Sequence, residues 1–363
     1  MLALRFKNVY NQGRISNYFI DFQICYKNQL FLYNEKKGEG HMAETMRVMG
    51  AIGDGVEMTE MPRPTPGRGE VRVKVIASAI NAAEEKLISG DFVGRFLHAK
   101  TTPLVLGWDF AGTVDALGDG VNDIDEGTAV WGHLAYSMSQ KQGAFAEHVT
   151  ISREAIAVKP EDVPFHVAAA TPTVALTTLQ SLRDLSRLSE GGKALIIGAG
   201  GGIGSVAVGI GKRLGGHVTG VCSTKDVERV EALGADAVID RKKSDPLDAE
   251  SAYDVIFDTP AVHSFGRCAK ILRAGGTYVT TLPGGALVTG MVRALFTSKR
   301  CCFVQVASRR ADLELVGGWL SDGLEVPIDS RQKIADLGAA LKRQADRGRV
   351  GRVVVDVAEG WPS

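Results

Sequence analysis

Three glycines, Gly198, Gly201 and Gly204, recur at intervals of three residues directly after the apolar run Ala194-Leu195-Ile196-Ile197, and a segment of helical periodicity follows them. A strand that turns into a helix through glycine sets bare backbone N–H groups, and the positive end of the helix dipole, against a diphosphate. The strict GxGxxG pattern is not met, because Ile203 stands where its third glycine belongs. Glycine clusters often serve plain turns. The weight therefore falls on the order of strand, turn, helix and second strand, which predicts dinucleotide binding. The second strand, Val218–Cys222, ends in Ser223-Thr224-Lys225, with no acid before Asp226. An acid at that place bonds a ribose 2′-hydroxyl and repels a 2′-phosphate, whereas hydroxyls and a lysine attract the phosphate. Arg241, after the third strand, adds a second positive charge. NADPH is the expected cofactor; the competing reading makes Lys225 and Arg241 ordinary solvated charges.

These residues need a scaffold, and the text after about Phe165 supplies one. Ala194–Ile197, Val218–Cys222, Ala237–Ile239, Val255–Asp258 and Thr277–Thr281 read as strands, with helices at Ile203–Leu214, Lys225–Leu233 and Phe265–Leu272. Near-continuous apolar strands alternating with helices predict a parallel sheet covered on both faces. Gly209 and Gly211 inside the first helix each cost up to ~1 kcal/mol in helix propensity, and sequence alone offers no reason for them. Before Phe165 the text is strand-rich: Val71–Ile76 alternates apolar with charged residues, and Phe110–Leu117, Thr128–Trp131 and Phe145–Ile151 follow. Beyond residue 304 come helices near Leu313–Leu320 and Ile334–Arg347 and a closing strand, Arg352–Val357. The expected architecture is α/β, a β-rich barrel-like unit with a Rossmann-type unit inserted in it.

Composition narrows the function. Of 363 residues 45% are hydrophobic and 23% charged, and Lys+Arg 42 balances Asp+Glu 42. This length suits two domains with separate cores. Zero net charge removes the electrostatic footprint of a dedicated nucleic-acid binder, and no run reaches the ~18 apolar residues of a membrane span. Cys25, Cys222, Cys268, Cys301 and Cys302 show neither CxxC nor a disulfide-framework spacing, which predicts a reducing, cytoplasmic compartment. Residues 1–41 hold four of the seven tyrosines and a single alanine, and Gly40-His41-Met42 reads as a junction with Met42 as the natural start. They are expected to be an appended segment outside the fold.

Several stretches together resemble the medium-chain dehydrogenase/reductase superfamily, and within it the zinc-free quinone-oxidoreductase branch. They are Asn81–Gly90 (NAAEEKLISG), Leu106–Val114 (LGWDFAGTV), Gly143–Val149 (GAFAEHV), Ala168–Leu182, the glycine turn and Leu233–Asp240 (LGADAVID), continued by Asp254–Thr259 and Leu272–Thr280. The resemblance implies a GroES-like catalytic domain made from residues 42–164 and 305–363 around an inserted Rossmann domain, doubly wound on a parallel sheet, at 165–304. It further implies that Asn81, Lys86 and Tyr136 lie near the nicotinamide. Asn81 offers an amide, Lys86 stands where relatives carry tyrosine or lysine, and Tyr136 sits in a loop that approaches the cofactor. Thr177 matches a threonine near the nicotinamide, and Gly201, Gly202 and Ile203 would supply diphosphate amides. Leu282 and Phe303 follow the last Rossmann strands. Ala82 replaces the usual proline, and the loop 134–142 matches no substrate subgroup.

Zinc-dependent relatives need thiolate or imidazole ligands. Their Gly-His-Glu segment stands here as Gly107-Trp108-Asp109, the upstream cysteine position falls near Asn81, and residues 42–164 contain no cysteine. No metal is expected. Without a Lewis acid, hydride transfer is easiest to a conjugated acceptor, whose negative charge spreads onto a remote oxygen. The expected activity is reduction of an enone, enal or quinone by NADPH. The alternatives are an enoyl-thioester reductase of a biosynthetic pathway and a protein that binds NADPH without turnover. A homodimer is expected through the strand-like run Cys301–Ala307.

Overall fold

In a computed structural model, residues 44–52, 55–91, 94–248, 253–346 and 348–361 are described. The segment 1–41 lies outside them. Strands β1 (Thr45–Ile52), β2 (Gly55–Pro62), β3 (Glu70–Ile80), β4 (Leu104–Val105), β5 (Asp109–Leu117), β6 (Ala129–His133), β7 (His148–Ser152) and β8 (Ile156–Val158) come first. Then β9 (Lys193–Ile197), β10 (His217–Cys222), β11 (Ala237–Asp240), β12 (Tyr253–Asp258), β13 (Leu272–Thr280) and β14 (Arg300–Phe303) alternate with helices. β15 (Ile328–Lys333) and β16 (Arg352–Asp356) close the chain.

β9 to β14 form one parallel sheet in the order β11-β10-β9-β12-β13-β14. Counted within the sheet this is the 3-2-1-4-5-6 order of doubly wound dinucleotide-binding folds. Its central strands are apolar on both faces because helices cover both: Ala194, Leu195, Ile196, Val255, Ile256 and Phe257 are all fully buried. The two puzzling helix glycines find their reason here. A Cβ on Gly211 would lie 2.8 Å from Val218 of β10, and one on Gly209 2.8 Å from Leu324. Close helix packing offsets their poor propensity.

The other large sheet runs β15-β16-β3-β5-β6-β8, with β7 on the far half of β3. β16 pairs antiparallel with β3, so the C-terminal strand returns into the N-terminal sheet. That pairing sets Val353 against Ile80 and brings Arg352 to Asn81, while Asp109 pairs with Ala79 and His133 with Asp109. Four residues far apart in the chain thus meet at one end of one sheet. The helix Pro172–Leu179 is buried along its whole length, with the Thr173 and Thr178 hydroxyls both hydrogen-bonded.

Two expectations change. The expected helix Phe265–Leu272 ends at Cys268, because Leu272 already begins β13. The expected strand Cys301–Ala307 ends at Phe303, and it is the edge of the parallel sheet. Sequence periodicity also passed over the helix Gly285–Ala294, which leaves most of its apolar side chains in solvent. No helix among the described residues is long and apolar enough to cross a membrane.

Candidate functional site

In the parallel sheet the chain order reverses between β9 and β12, and the crevice beyond the carboxyl ends of such strands is where doubly wound sheets bind ligands. A cleft of about 1410 Å³ opens there and continues to the Asn81 end of the other sheet. Gly198, Gly201, Gly202 and Ile203 line it, and each glycine has its own reason. Gly198 has φ 82°, in the left-handed region, and a Cβ on it would lie 2.6 Å from Thr259 Oγ1. Gly201 caps the helix Gly202–Arg213 without a side chain, leaving the first helical N–H groups open towards the cleft. Gly204 does not line the cleft: a Cβ there would lie 2.1 Å from the Gly198 carbonyl oxygen, so its glycine serves strand-to-helix packing.

Beyond β10 and β11 the expected phosphate donors separate. Arg241 lines the cleft, together with Lys242, Lys243 and Ser244, which sequence reasoning passed over although they follow directly. Ser223, Thr224 and Lys225 are not among the lining residues. The Ser223 hydroxyl donates to Asp226 at 2.7 Å and the Thr224 hydroxyl to Asp240 at 2.7 Å. Asp226, the first acid after the second strand, is itself turned inward: its carboxyl lies 2.9 Å from where a Gly200 Cβ would be, and Arg229 bonds it at 2.7 Å. Burial works against its charge, but the Ser223 and Arg229 donors outweigh burial and hold its carboxyl below the ordinary range. The signal for Arg229 was present in its spacing of three from Asp226.

At the other end of the cleft Asn81, Lys86, Tyr136, Thr173 and Thr177 form the wall, while Leu282 and Phe303 line it from the parallel sheet. Asn81 is held on both sides of its amide. It donates to Asp109 Oδ2 at 3.2 Å and accepts from Arg352 Nη2 at 2.8 Å. Arg352 also bonds Asp109 Oδ2 at 2.8 Å and the Ala170 carbonyl at 3.0 Å. The Asp109 Oδ1 accepts from the Thr173 backbone N–H at 2.8 Å and its hydroxyl at 2.6 Å. Asp109 is fully buried and Arg352 nearly so, and both Asp109 oxygens and the Arg352 Nε and Nη2 are hydrogen-bonded in this network, as a buried ion pair requires. Asp109 thus orders its surroundings. Trp108 is a core residue, its ring centroid 4.9 Å from that of Tyr136 and tilted at 53° to it.

Lys86 and Tyr136 differ in availability. The Lys86 ammonium is paired with Asp91 at 3.2 Å. The Tyr136 hydroxyl is bonded to Thr173, and burial, followed by the Glu84 and Asp109 carboxyl groups, pushes its pKa well above the phenol's ordinary value. Tyr136 therefore keeps its proton, and its side chain lines the cleft. Sequence reasoning missed Arg352, Thr173 and Glu84. Arg349 was missed as well; it also lines the cleft, with its Nη1 4.0 Å from where a Gly202 Cβ would lie.

Two family models match the chain: "Alcohol dehydrogenase GroES-like domain" over residues 67–162 and "Zinc-binding dehydrogenase" over 233–355. Over 320 residues the chain is 30% identical to a trans-enoyl reductase of Aspergillus terreus, covering 81% of this chain and 88% of that one. It is 31% identical over 234 residues to a chloroplastic NADPH-dependent alkenal/one oxidoreductase of Arabidopsis thaliana, covering 63% of this chain and 58% of that one. Among solved structures, a quinone oxidoreductase from Coxiella burnetii shares the fold with a TM-score of 0.77 at 24% identity, covering 86% of this chain and 100% of that one.

Proposed function

This chain belongs to the medium-chain dehydrogenase/reductase superfamily, and we propose that it reduces a conjugated carbonyl, an enone, enal or quinone, with NADPH and without zinc. The observation that carries the reading is a single cleft with a backbone-lined diphosphate turn at one end and a proton-bearing phenol, Tyr136, at the other. Two relatives named above, a trans-enoyl reductase and an NADPH-dependent alkenal/one oxidoreductase, support the substrate class.

The backbone N–H groups of Gly201, Gly202 and Ile203 would hold the cofactor's diphosphate, with Gly198 making the turn and Gly204 its packing. Arg241, with Lys242 beside it, would face a 2′-phosphate; Ser223, Thr224 and Lys225 would then support that region from behind. Thr177, Leu282 and Phe303 would wall the nicotinamide end. A bound nicotinamide dinucleotide supplies a hydride. Asn81 and Tyr136 orient and bond the substrate oxygen where charge develops, and Tyr136 holds the proton that the reduced substrate takes up. Lys86, paired with Asp91, orders the rim.

A metal ion does not fit this wall. The positions that hold zinc ligands in relatives carry an amide, Asn81, and an indole, Trp108, and the Arg352 guanidinium bonds both Asn81 and Asp109. A fixed cation there repels a second one. NADPH oxidation with a quinone or a 2-alkenal as acceptor, in the presence of chelator, tests the reading. Turnover that survives chelation is expected; turnover lost to chelator and restored by zinc would overturn it. An enoyl thioester belongs among the acceptors, because the Aspergillus relative is a trans-enoyl reductase.

We propose also a homodimer through β14. The edge strand lies beside the helix Gly285–Ala294, where Val288, Met291 and Val292 are exposed and Leu295 and Phe296 remain 80% and 85% exposed. Apolar area of this kind beside an open strand edge fits a second copy of the chain. Phe296→Asp should convert a sedimenting dimer to monomer; a wild type that sediments as monomer at micromolar concentration would end the proposal.

A further inference from the structure

Behind the Asn81–Tyr136 wall lies a polar group that the reading above leaves unused. Glu84, in the helix Ala82–Ile88, is fully buried. Its Oε2 accepts the Asn81 backbone N–H at 2.8 Å, whereas its Oε1 is buried with no hydrogen-bond partner. An ionised carboxylate with one oxygen unmatched in such a place is costly, and a neutral one much less so.

The charges around it do not rescue the anion. Asp109, from β5, adds a like charge. Arg352, from β16, is the cation acting on Glu84, but it is already bonded to Asp109, Asn81 and the Ala170 carbonyl. Lys86, on the same helix, is paired with Asp91. His133, from β6, is 1% exposed, lies 4.8 Å from the Tyr136 ring, and is kept neutral by burial. Burial, opposed by the backbone donors of Glu84 and Asn81 and aided by Asp109, raises the Glu84 carboxyl to about 8. The charges of this same Glu84 and then of Asp109 act against ionisation of the Tyr136 phenol, opposed by the Thr173 hydrogen bond and the Arg352 charge.

We propose that Glu84 is a positioning residue for proton delivery: neutral, it allows Tyr136 to give its proton to the reduced substrate, and ionised, it opposes the phenolate left behind and shuts the step off. In that step the Tyr136 O–H bond breaks and the proton joins the enolate formed by the two-electron reduction. The phenolate then regains a proton from water. The inference rests on the proposed conjugated-carbonyl reduction and adds its control by one buried acid.

Two measurements on the full chain test it. Infrared difference spectra of the unliganded protein, wild type against Glu84→Gln, should show the carbonyl stretch of a neutral carboxylic acid that disappears as pH rises through about 8. The wild-type spectra alone suffice if the variant does not fold. In the second, kcat for NADPH-dependent reduction of a 2-alkenal should fall about tenfold per pH unit above that midpoint in wild type. The Glu84→Gln profile should stay flat there, because its amide still accepts the Asn81 N–H but cannot ionise. Tyr136→Phe should lower kcat across the whole range. A missing acid band, or an alkaline limb that persists unchanged in Glu84→Gln, overturns the inference and leaves the reductase reading intact. No turnover with any acceptor overturns both.

Discussion

The two ends of the cleft are built from different material. The proposed diphosphate end is backbone: Gly198, Gly201, Gly202 and Gly204 lie within seven consecutive residues, and at Gly198 and Gly204 a side chain would strike its neighbours. The substrate end is side chain: Asn81, Asp109, Tyr136, Thr173 and Arg352 come from five separate stretches and are joined by hydrogen bonds spanning up to 271 residues of sequence. The first tolerates no added atoms at Gly198 and Gly204. The second tolerates no unpaired charge. One end is thus limited by steric exclusion and the other by electrostatic satisfaction, and substitutions should fail differently at each.

The largest expected effect lies at the substrate end. Arg352→Met leaves Asp109 buried and without its counter-charge, and should cost about 3–5 kcal/mol in urea unfolding. A loss below about 1 kcal/mol would show that the network is not held by this ion pair. At the diphosphate end Gly204→Val drives a side chain into the Gly198 carbonyl. Titration calorimetry should show dinucleotide affinity reduced by roughly 100-fold, about 3 kcal/mol, or the protein unfolded. Unchanged affinity would mean that the turn is not the diphosphate site.

Glu84→Gln sharpens the contrast through pH. The Glu84 carboxyl has an ordinary value of 4.5 and a folded value of about 8. The stability present below 4.5 is therefore lost progressively as pH rises towards 8, since unfolding frees the buried group to ionise. The variant cannot ionise, so its unfolding free energy in urea should gain on wild type as pH rises across that window, by an amount on the order of 1–3 kcal/mol. A difference independent of pH would count against a neutral buried acid. The smallest effect is expected from Arg241→Ala, which should weaken NADPH about tenfold and NADH scarcely at all. Equal losses for both cofactors would remove the 2′-phosphate assignment.

The same contrast explains which features were legible in the chain. β9, β10 and β12 announce themselves as short apolar runs, and the glycine turn follows β9 directly, so local pattern sufficed. The helix Gly285–Ala294 escaped because its apolar side chains point outward, so its periodicity does not mark a buried stripe. Ser223 and Thr224 sit where phosphate donors belong, yet Asp226 and Asp240 occupy their hydroxyls, which no local spacing reveals. Nothing local in the sequence sets Glu84 apart from its exposed neighbour Glu85; only packing buries it.

Sequence alone settled the strand–turn–helix–strand order around the glycine turn, because it is a property of neighbouring residues, and it showed Asn81 and Trp108 where zinc-dependent relatives carry ligands. Tertiary structure decided which charges meet. The antiparallel pairing of β16 with β3 brings Arg352 to Asn81 and Asp109, and the register of β5 and β6 places His133 and Asp109 side by side. Burial and electrostatic pairing depend on what arrives from elsewhere in the chain. The chemistry of this cleft, unlike its scaffold, exists only once the C-terminal strand β16 has paired with β3 in the N-terminal part of the sheet.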